Sequence, residues 1–341
     1  MFTRSKNVVS VAVFLVSATT ASLSAHATLT LTAAGIADGF ILSTVVTNGF
    51  SATYGPLGEA MLPNGNFITG SAFDRKLYIF KDVDGQLLGD AVSAIPYTGT
   101  TTNPQYVMAS AGGQAYGAQV QGGAFVKFAN DGSFTPVPGL GGLSSFYGIW
   151  GNPTNGHLIA TTFSGLVDID PVAGSFRVIT TAVSPVGNPD GLTVSPDGKT
   201  VYVEVGGNID AYNIITGAFI RTYAGGGHGP DGTGVINGGL FNGDIVVNNN
   251  DGTVGLIDDV TGVETIIASG GTRGDFVSAD TTNGTLFISQ AEQIARLSCG
   301  PNCSIGSTSS NVPEPATLAL VALGLVGVAV KSRSGQGQRR A

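Results

Sequence analysis

The stretch Pro189-Asp-Gly-Leu-Thr-Val-Ser-Pro-Asp-Gly-Lys-Thr-Val-Tyr-Val203 decides the fold of this chain. A short apolar run precedes its second Asp-Gly pair, and a β-branched and aromatic run follows that pair. Asp-Gly between two such runs is a strong hairpin signal, because glycine adopts the left-handed backbone that tight turns need. The stretch therefore predicts two adjacent antiparallel strands.

Segments of the same kind recur along the chain. When they are aligned, one residue from each segment marks the start of a predicted inner strand: Glu59, Gln105, Tyr147, Asp190, Asp231 and Asp275. These positions are 41 to 46 residues apart. A second glycine turn follows in several units and leads to an outer strand, as in Val172-Ala-Gly-Ser-Phe176. A repeat of about 40–50 residues that contains four strands is typical of a β-propeller blade.

The sixth unit lacks an outer strand, because the chain after Leu297 runs directly into a cysteine loop. A segment of the missing type stands at the other end, Ala37-Asp-Gly-Phe-Ile-Leu-Ser-Thr-Val-Val46. We expect this N-terminal strand to complete the last blade and so to close the ring, which removes open strand edges. The sequence predicts an all-β fold, a six-bladed β-propeller over residues 28–303.

The composition agrees with this fold class. The 341 residues include 52 glycines, 42% are hydrophobic, and only 11% are charged. Many glycines and β-branched residues favour strands and tight turns. Residues 28–310 carry nine Lys/Arg and 22 Asp/Glu side chains, a net charge of −13. A body this acidic is not expected to bind nucleic acid through its phosphates.

The six aligned positions should ring one mouth of the propeller channel, and four of them are carboxylates: Glu59, Asp190, Asp231 and Asp275. Converging carboxylate oxygens suit a hard cation, so we predict a Ca²⁺ site at these four residues. Two alternatives stay open, turn chemistry at the Asp-Gly pairs and catalysis. His157 and His228 stand in no zinc spacing and beside no nucleophile motif.

The stretch at residues 189–203 resembles blades of NHL and YVTN-type propellers, and it is similar to a blade of the calcium-dependent lactonases of the gluconolactonase and SMP-30 group. That second resemblance implies a metal held by a first-blade Glu and by an Asn and an Asp before later inner strands. Glu59, Asp190 and Asp231 fall at similar places, with Asp190 where those enzymes have Asn. It would make the protein a calcium-dependent hydrolase.

The first 27 residues have the pattern of a secretory signal peptide. Arg4 and Lys6 precede the apolar run at residues 8–16, and small residues end in Ala25-His-Ala27. A basic region, a short apolar region and an A-x-A site together predict an N-terminal signal helix that signal peptidase removes after Ala27. A buried N-terminal strand, the alternative, explains neither the charges nor Ala25 and Ala27.

The two cysteines, Cys299 and Cys303, flank a Gly-Pro-Asn turn. In an exported protein their close spacing favours a local disulfide. A redox-active pair is the alternative. Two cysteines alone do not complete a zinc site.

The C-terminal region combines a polar linker at 304–311 with an uncharged apolar run at 316–330. Fifteen helical residues span about 22 Å, which is short for a membrane helix unless the flanking residues contribute. Val312-Pro313-Glu314-Pro315, the apolar run and the basic residues Lys331, Arg333, Arg339 and Arg340 resemble the PEP-CTERM sorting signal of Gram-negative bacteria. The resemblance implies a transmembrane sorting helix, processing by an exosortase over 312–341, and delivery from the inner membrane to the cell surface or extracellular matrix.

These observations favour a non-enzymatic binding protein of the cell surface or matrix, associated with exopolysaccharide or surface proteins of a biofilm. The alternative is a lactonase-type hydrolase, and a purely structural matrix component is a third hypothesis. Calcium-dependent turnover would favour the hydrolase, and retention on exopolysaccharide would favour the binding protein.

Overall fold

The computed structural model describes residues 28–47, 50, 55–71, 75–96, 106–120, 124–143, 146–163, 165–183, 189–300 and 304–305. The predicted signal peptide at 1–27, Gln105, Cys303 and the predicted sorting region at 312–341 lie outside these ranges. Within the described ranges, no helix is long and apolar enough to cross a membrane.

The described part of the chain starts with three elements, and six blades follow in sequence order. The N-terminal elements are β1 (Thr30–Leu31), α1 (Ala33–Ala37) and β2 (Ile41–Thr47). Blade 1 contains β3 (Pro56–Met61), β4 (Asn66–Ser71), β5 (Lys76–Lys81), β6 (Gln86–Leu87), the 3-10 helix Leu88–Asp90 and β7 (Ser93–Pro96). Blade 2 contains β8 (Tyr106–Ala111), β9 (Gln114–Gln119), β10 (Phe125–Phe128) and β11 (Phe134–Pro136). Blade 3 contains β12 (Phe146–Gly151), β13 (Leu158–Thr162), β14 (Gly165–Asp170) and β15 (Ser175–Thr180).

The second half follows the same plan. Blade 4 contains β16 (Pro189–Val194), β17 (Thr200–Val205), β18 (Asn208–Asn213) and β19 (Phe219–Ala224). Blade 5 contains β20 (Pro230–Asn237), the 3-10 helix Gly239–Phe241, β21 (Ile245–Asn249), β22 (Val254–Ile257) and β23 (Glu264–Ser269). Blade 6 contributes β24 (Gly274–Asp280), β25 (Thr285–Gln290) and β26 (Gln293–Ser298), and β27 (Ser304–Ile305) follows.

The blades form a closed ring. Each innermost strand packs against the innermost strand of the next blade, and β24 of blade 6 packs against β3 of blade 1. The expected six-bladed, all-β architecture is confirmed. The hairpin turn that opened the sequence argument is present, with Gly198 in the left-handed region at a φ of 73°.

The N-terminal strand closes the ring, as the sequence predicts. Strand β2 pairs antiparallel with β26, with Leu42 opposite Leu297. Two further pairings were not anticipated: β1 adds to the outer edge of blade 5 beside β23, and β6 of blade 1 pairs in parallel with β2. The first and last blades are thereby joined through the backbone as well as through packing.

The core lies between neighbouring blades. At the junction of blades 1 and 6, the rings of Phe67 and Phe287 lie 4.8 Å apart, and Phe80 stacks on Phe67 at 5.5 Å. All three side chains are fully buried. Burial of each ring stabilises the fold by roughly 1.5–3 kcal/mol. The three rings form an aromatic core at the junction that the N-terminal strand completes.

Strand β27 extends the ordered propeller past the expected boundary at residue 303. It pairs antiparallel with the end of β20, with Ile305 opposite Ile236. Residues 304 and 305, the first two of the predicted linker at 304–311, are therefore part of a sheet. Just before this strand, Cys299 is disulfide-bonded.

Candidate functional site

One end of the channel is built by the first residues of the innermost strands. In blades 3, 4 and 6 the pairing with the second strand shifts near the start of the inner strand, between Phe146 and Ile149, Pro189 and Leu192, and Gly274 and Val277. Blade 5 has a similar shift after Pro230. Such β-bulges bend a strand and re-aim its side chains. Each shift spans one residue of the predicted ring: Tyr147, Asp190, Asp231 or Asp275.

The glycines that follow three of these residues permit close contact between blades. A Cβ atom on Gly148, Gly191 or Gly232 would lie 2.4, 2.2 or 2.5 Å from the backbone oxygen of Asp190, Asp231 or Asp275, respectively. Each Asp-Gly pair at the mouth therefore lies inside a strand, and its glycine is needed for space. The turn interpretation of these two pairs, at 190–191 and 231–232, is wrong for that reason.

Arg273 joins two of the ring carboxylates. Its Nη2 lies 2.7 Å from Oδ2 of Asp231, and its Nη1 lies 3.1 Å from Oδ2 of Asp275. Both carboxylates are less than a tenth exposed. We call Tyr147, Asp190, Asp231, Arg273 and Asp275 the charged mouth. Sequence reasoning missed Arg273, although it is one of only nine basic residues in the body and stands two positions before Asp275.

The carboxyl groups of the charged mouth hold protons more tightly than ordinary aspartates. Burial raises the pKa of Asp275 to about 7, assisted by the charge of Asp231 and opposed by Arg273. Burial also raises the pKa of Asp231, and Arg273 limits that rise. Burial, then the charges of Asp231 and Asp275, raise the pKa of Asp190 well above its usual range. Asp190 and Asp231 share a side-chain hydrogen bond, which raises the pKa of Asp190 further and lowers that of Asp231.

Glu59 is not at the mouth. In blade 1 the strand pairing matches Pro56 with Ser71 and Glu59 with Thr69, and in blade 4 it matches Pro189 with Val205 and Leu192 with Val203. Leu57 is therefore the structural counterpart of Asp190, and Glu59 is the counterpart of Leu192. The sequence alignment placed Glu59 two residues too near the mouth, because blade 1 has Leu57-Gly58 where blade 4 has Asp190-Gly191.

Glu59 lies instead in a buried polar network. Its Oε1 accepts a hydrogen bond from Ser289 at 2.6 Å, and its backbone N–H donates to Ser278 at 2.9 Å. Its Oε2 is buried and has no hydrogen-bond partner among the described residues. Burial raises the pKa of Glu59 to about 7, against the lowering effect of its serine and threonine hydrogen bonds.

The four predicted metal ligands do not form a calcium cage in the described part of the chain. There, no group of three or more His, Cys, Asp or Glu side chains is arranged to hold a metal ion. Arg273 lies between Asp231 and Asp275, and Glu59 lies two residues further along its inner strand than the position that matches Asp190. This donor set does not fit Ca²⁺, which prefers six to eight oxygens from ionised or carbonyl groups. Calcium binding stays a prediction for a titration to test.

An aromatic pair borders the charged mouth. The rings of Tyr147 and Phe163 meet edge to face with their centroids 5.5 Å apart. Phe163 is 58% exposed, and Thr161, two residues before it, donates a hydrogen bond to the backbone oxygen of Asp190 at 3.2 Å. An exposed ring therefore lies at the same end of the channel as Asp190. Sequence analysis missed Phe163. Its place near the mouth depends on the contact between its hairpin and Asp190, which is distant in the sequence.

The other end of the channel has a different character. A cavity of about 200 Å³ lies there, and no charged residue lines it. Its walls include Met108, Ser110, Trp150, Asn152, Ser278 and Thr281. We call this end the neutral mouth. Strand β27 pairs with the end of β20 that is farthest from Asp231.

Comparisons with known proteins concern the C-terminal motif and the propeller fold. Residues 311–334 match the family model of the PEP-CTERM protein-sorting motif. No curated protein sequence matches the chain. Among solved structures, a gluconolactonase from Xanthomonas campestris is similar, with a TM-score of 0.57 and 18% identity over 78% of this chain and 93% of that one.

Two further solved structures have a similar fold, and they belong to a binding protein and to a lyase. An auxiliary nutrient binding protein from Bacteroides thetaiotaomicron has a TM-score of 0.52 and 10% identity, covering 76% of each chain. A virginiamycin B lyase from Staphylococcus aureus has a TM-score of 0.50 and 14% identity, covering 76% of this chain and 99% of that one. At these identities the likeness concerns the fold alone. The chain is a six-bladed β-propeller that carries a PEP-CTERM sorting motif, which implies export, a membrane-anchored intermediate and processing by an exosortase.

Proposed function

We propose that this protein is a non-enzymatic, exported binding protein whose charged mouth holds a hydroxyl-rich ligand, an exopolysaccharide of the cell surface or matrix. The observation that carries the proposal is the exposed Phe163 ring, which packs on Tyr147 at the same end of the channel as Asp190 and Arg273.

The chemistry of the charged mouth suits a sugar. The apolar face of a pyranose ring packs on an aromatic side chain, which supplies contact area at little cost in conformational entropy. Carboxylates accept hydrogen bonds from hydroxyl groups, and guanidinium N–H groups donate to ring and hydroxyl oxygens. A small number of placed polar groups beside an apolar surface is the usual composition of a ligand site.

The same proposal includes the processing steps. Signal peptidase cleaves after Ala27, and the apolar helix at 316–330 with Lys331 and Arg333 anchors the intermediate in the inner membrane. An exosortase then cleaves near Val312-Pro-Glu-Pro315 and releases the propeller to the surface of a Gram-negative cell. Support comes from the match of residues 311–334 to the sorting motif.

The binding test uses the processed protein on immobilised exopolysaccharide from a PEP-CTERM organism. Phe163→Ala removes the stacking surface, and we expect about a tenfold weaker affinity, since aromatic contacts contribute roughly 0.5–1.5 kcal/mol. Phe176→Ala is the matched control, because Phe176 is 40% exposed on the outer strand of the same blade. Equal retention of both variants, or no retention of the wild type, would contradict the proposal.

The second candidate is the calcium-dependent lactonase. The cluster of Asp190, Asp231 and Asp275 at one mouth favours it, but Arg273 would have to withdraw from two of these residues. Lactone hydrolysis that calcium activates and a chelator abolishes would establish this function in place of the first.

A further inference from the structure

Two cavities lie side by side at the neutral mouth. The cavity of about 200 Å³ is bordered by the inner strands of blades 2, 3 and 6. A second cavity, of about 240 Å³, is bordered by blades 1, 2 and 6. Both are lined by Ser110, Ala111, Gly112 and Thr281, so they form one concave surface with the blade 2 turn at its centre. We call this surface the double cavity.

The double cavity exists because blade 2 has a shorter turn than its neighbours. Only Gly112 and Gly113 connect its first two strands, and both have the positive φ that a two-residue hairpin turn requires. The corresponding turns are residues 62–65 in blade 1 and residues 152–157 in blade 3. A Cβ atom on Gly112 or Gly113 would meet no other atom within 4 Å. Space therefore stays open above blade 2, between two longer turns.

Hydrogen bonds hold the walls of the double cavity in place. Oγ of Ser110 accepts a hydrogen bond from the backbone N–H of Met61 at 2.6 Å, which joins blade 2 to blade 1. In the blade 3 turn, Oδ1 of Asn152 accepts from the N–H of Thr154 at 3.0 Å. Nδ2 of Asn152 donates to the backbone oxygen of Gly198 in blade 4 at 3.2 Å. A ligand would thus meet a surface that is already formed, which reduces the entropic cost of binding.

The lining of the double cavity excludes ions. No charged residue lines either cavity, so an ion that entered would lose hydration without gaining a counter-charge. Met61, Met108 and Ile149 contribute apolar surface. Thr281 contributes a hydroxyl group that makes no hydrogen bond to another described residue. A few polar groups on an apolar wall are the usual composition of a small-molecule site.

We propose that the double cavity binds a small uncharged molecule that has an apolar ring and a hydroxyl or carbonyl group. Each cavity is much larger than the roughly 30 Å³ that one water occupies. Each is also smaller than the pockets of about 300–1,000 Å³ that hold drug-sized ligands, so a molecule of one or two rings is expected. This site lies at the opposite end of the channel from the charged mouth and is independent of a ligand there.

The fluorescence of Trp150 reports binding, because Trp150 is the single tryptophan of the chain and lines the double cavity. The probes are benzyl alcohol, benzoate and benzylammonium, which have the same ring and differ in charge. With the exported protein at neutral pH, benzyl alcohol should change the emission saturably, with a Kd of about 1 mM. Benzoate and benzylammonium should bind more weakly by about tenfold or more, since each ion must be desolvated.

Thr281→Phe tests the position of the site, because a larger side chain at this residue fills space in both cavities. It should weaken the binding of benzyl alcohol by about tenfold. Thr216→Phe is the matched control, since Thr216 is exposed on the turn between β18 and β19 and lines neither cavity. The control should leave the Kd unchanged.

Three results would overturn the proposal. The first is the absence of a saturable emission change with benzyl alcohol, and the second is equal affinity for the charged probes. The third is equal affinity of Thr281→Phe and Thr216→Phe for benzyl alcohol. If Thr281→Phe does not fold, Thr281→Leu undergoes the same comparison, and if neither folds, the three probes on the wild type decide.

Discussion

Two arginine clusters stand on opposite faces of the propeller and have different consequences. At the charged mouth, Arg273 is partly exposed and bridges two aspartates of neighbouring blades. On the face of the neutral mouth, Arg296 is 9% exposed and pairs with Asp82, Asp84 and Asp280. We call these four residues the seam cluster, because Asp82 and Asp84 come from blade 1 and the other two from blade 6.

Both clusters pair an arginine with aspartates, and they differ in how far the arginine is buried. Burial opposes the charge of Arg296, but hydrogen bonds to Asp84, Asp280 and Asp82 outweigh it and raise the pKa of the guanidinium above its ordinary value. The seam cluster is enclosed and joins the first and last blades, beside the strand β2 that closes the ring. At the charged mouth, Arg273 is 35% exposed to solvent, and burial raises the pKa of Asp275 to about 7.

The largest expected effect tests the seam. Deletion of residues 28–47 removes β2, exposes the edge of β26 and leaves the ring open. We expect loss of cooperative unfolding, since a typical domain has only about 5–15 kcal/mol of stability. The measurement is urea denaturation followed by fluorescence of Trp150. Deletion of residues 28–31 alone, which removes only β1, is the control and should leave a cooperative transition. A cooperative transition in the larger deletion would disprove the closure role.

The next effect distinguishes the seam cluster from an ordinary ion pair. Arg296→Ala leaves the fully buried Asp280 without its counter-charge, so we expect a loss of roughly 3–5 kcal/mol in the free energy of unfolding. Arg177→Ala breaks a partly exposed pair with Asp168 and should cost about 1 kcal/mol or less. Equal losses in the two variants would mean that the seam cluster has no special role.

A third prediction concerns the pH dependence of stability that the buried Glu59 causes. The pKa of Glu59 is raised in the folded state from 4.5 to about 7, so the folded protein binds this proton more tightly than the unfolded chain. The stabilisation is complete below about pH 4.5 and is lost as pH rises through about 7, an effect of roughly 3 kcal/mol. Asp275 and Glu204, whose pKa values burial also raises to about 7, act in the same direction.

Glu59→Gln tests this pH dependence. The variant should lose part of the decline in unfolding free energy between pH 5 and pH 8, measured by urea denaturation at both values, on the order of 3 kcal/mol. Asp170→Asn is the control, because backbone hydrogen bonds lower the pKa of Asp170, and it should leave the slope in this range unchanged. An unchanged slope in Glu59→Gln would show that Glu59 is already ionised at pH 5.

The smallest effect concerns the aromatic pair. Phe163→Ala removes an edge-to-face contact with Tyr147 from an exposed position, and it should cost about 1 kcal/mol of stability. Phe67→Ala, at a fully buried ring of the blade 1 and blade 6 junction, should cost roughly 3–5 kcal/mol. Comparable losses would mean that Phe163 is part of the core and is not presented to a ligand.

The repeat could be predicted from the sequence because each blade reproduces a local pattern. The glycine turn before Lys199 and the aliphatic and aromatic runs around it specify a hairpin without reference to the rest of the chain. The incomplete sixth unit likewise indicated where the N-terminal strand belongs. The sorting motif at 311–334 could be identified for the same reason, since its signal is a contiguous order of residue types.

The candidate site was only partly predictable. Asp190, Asp231 and Asp275 were aligned with one another correctly, because each is the second residue of its inner strand. Glu59 was aligned with Asp190, whereas the strand pairing matches Leu57 with Asp190. Arg273 and Phe163 were missed, since their importance arises from neighbours that are distant in the sequence.

The sequence by itself determined the number of blades, the closing strand and the sorting address, because hydrophobic alternation, turn glycines and short motifs act locally. Only the tertiary structure decided how the charges are used. It inserted Arg273 between Asp231 and Asp275, enclosed Arg296 at the seam and gave the two mouths different chemistry. The physical reason is that the energy of a charge depends on its burial and its partners across blades, and no local pattern in the chain encodes either.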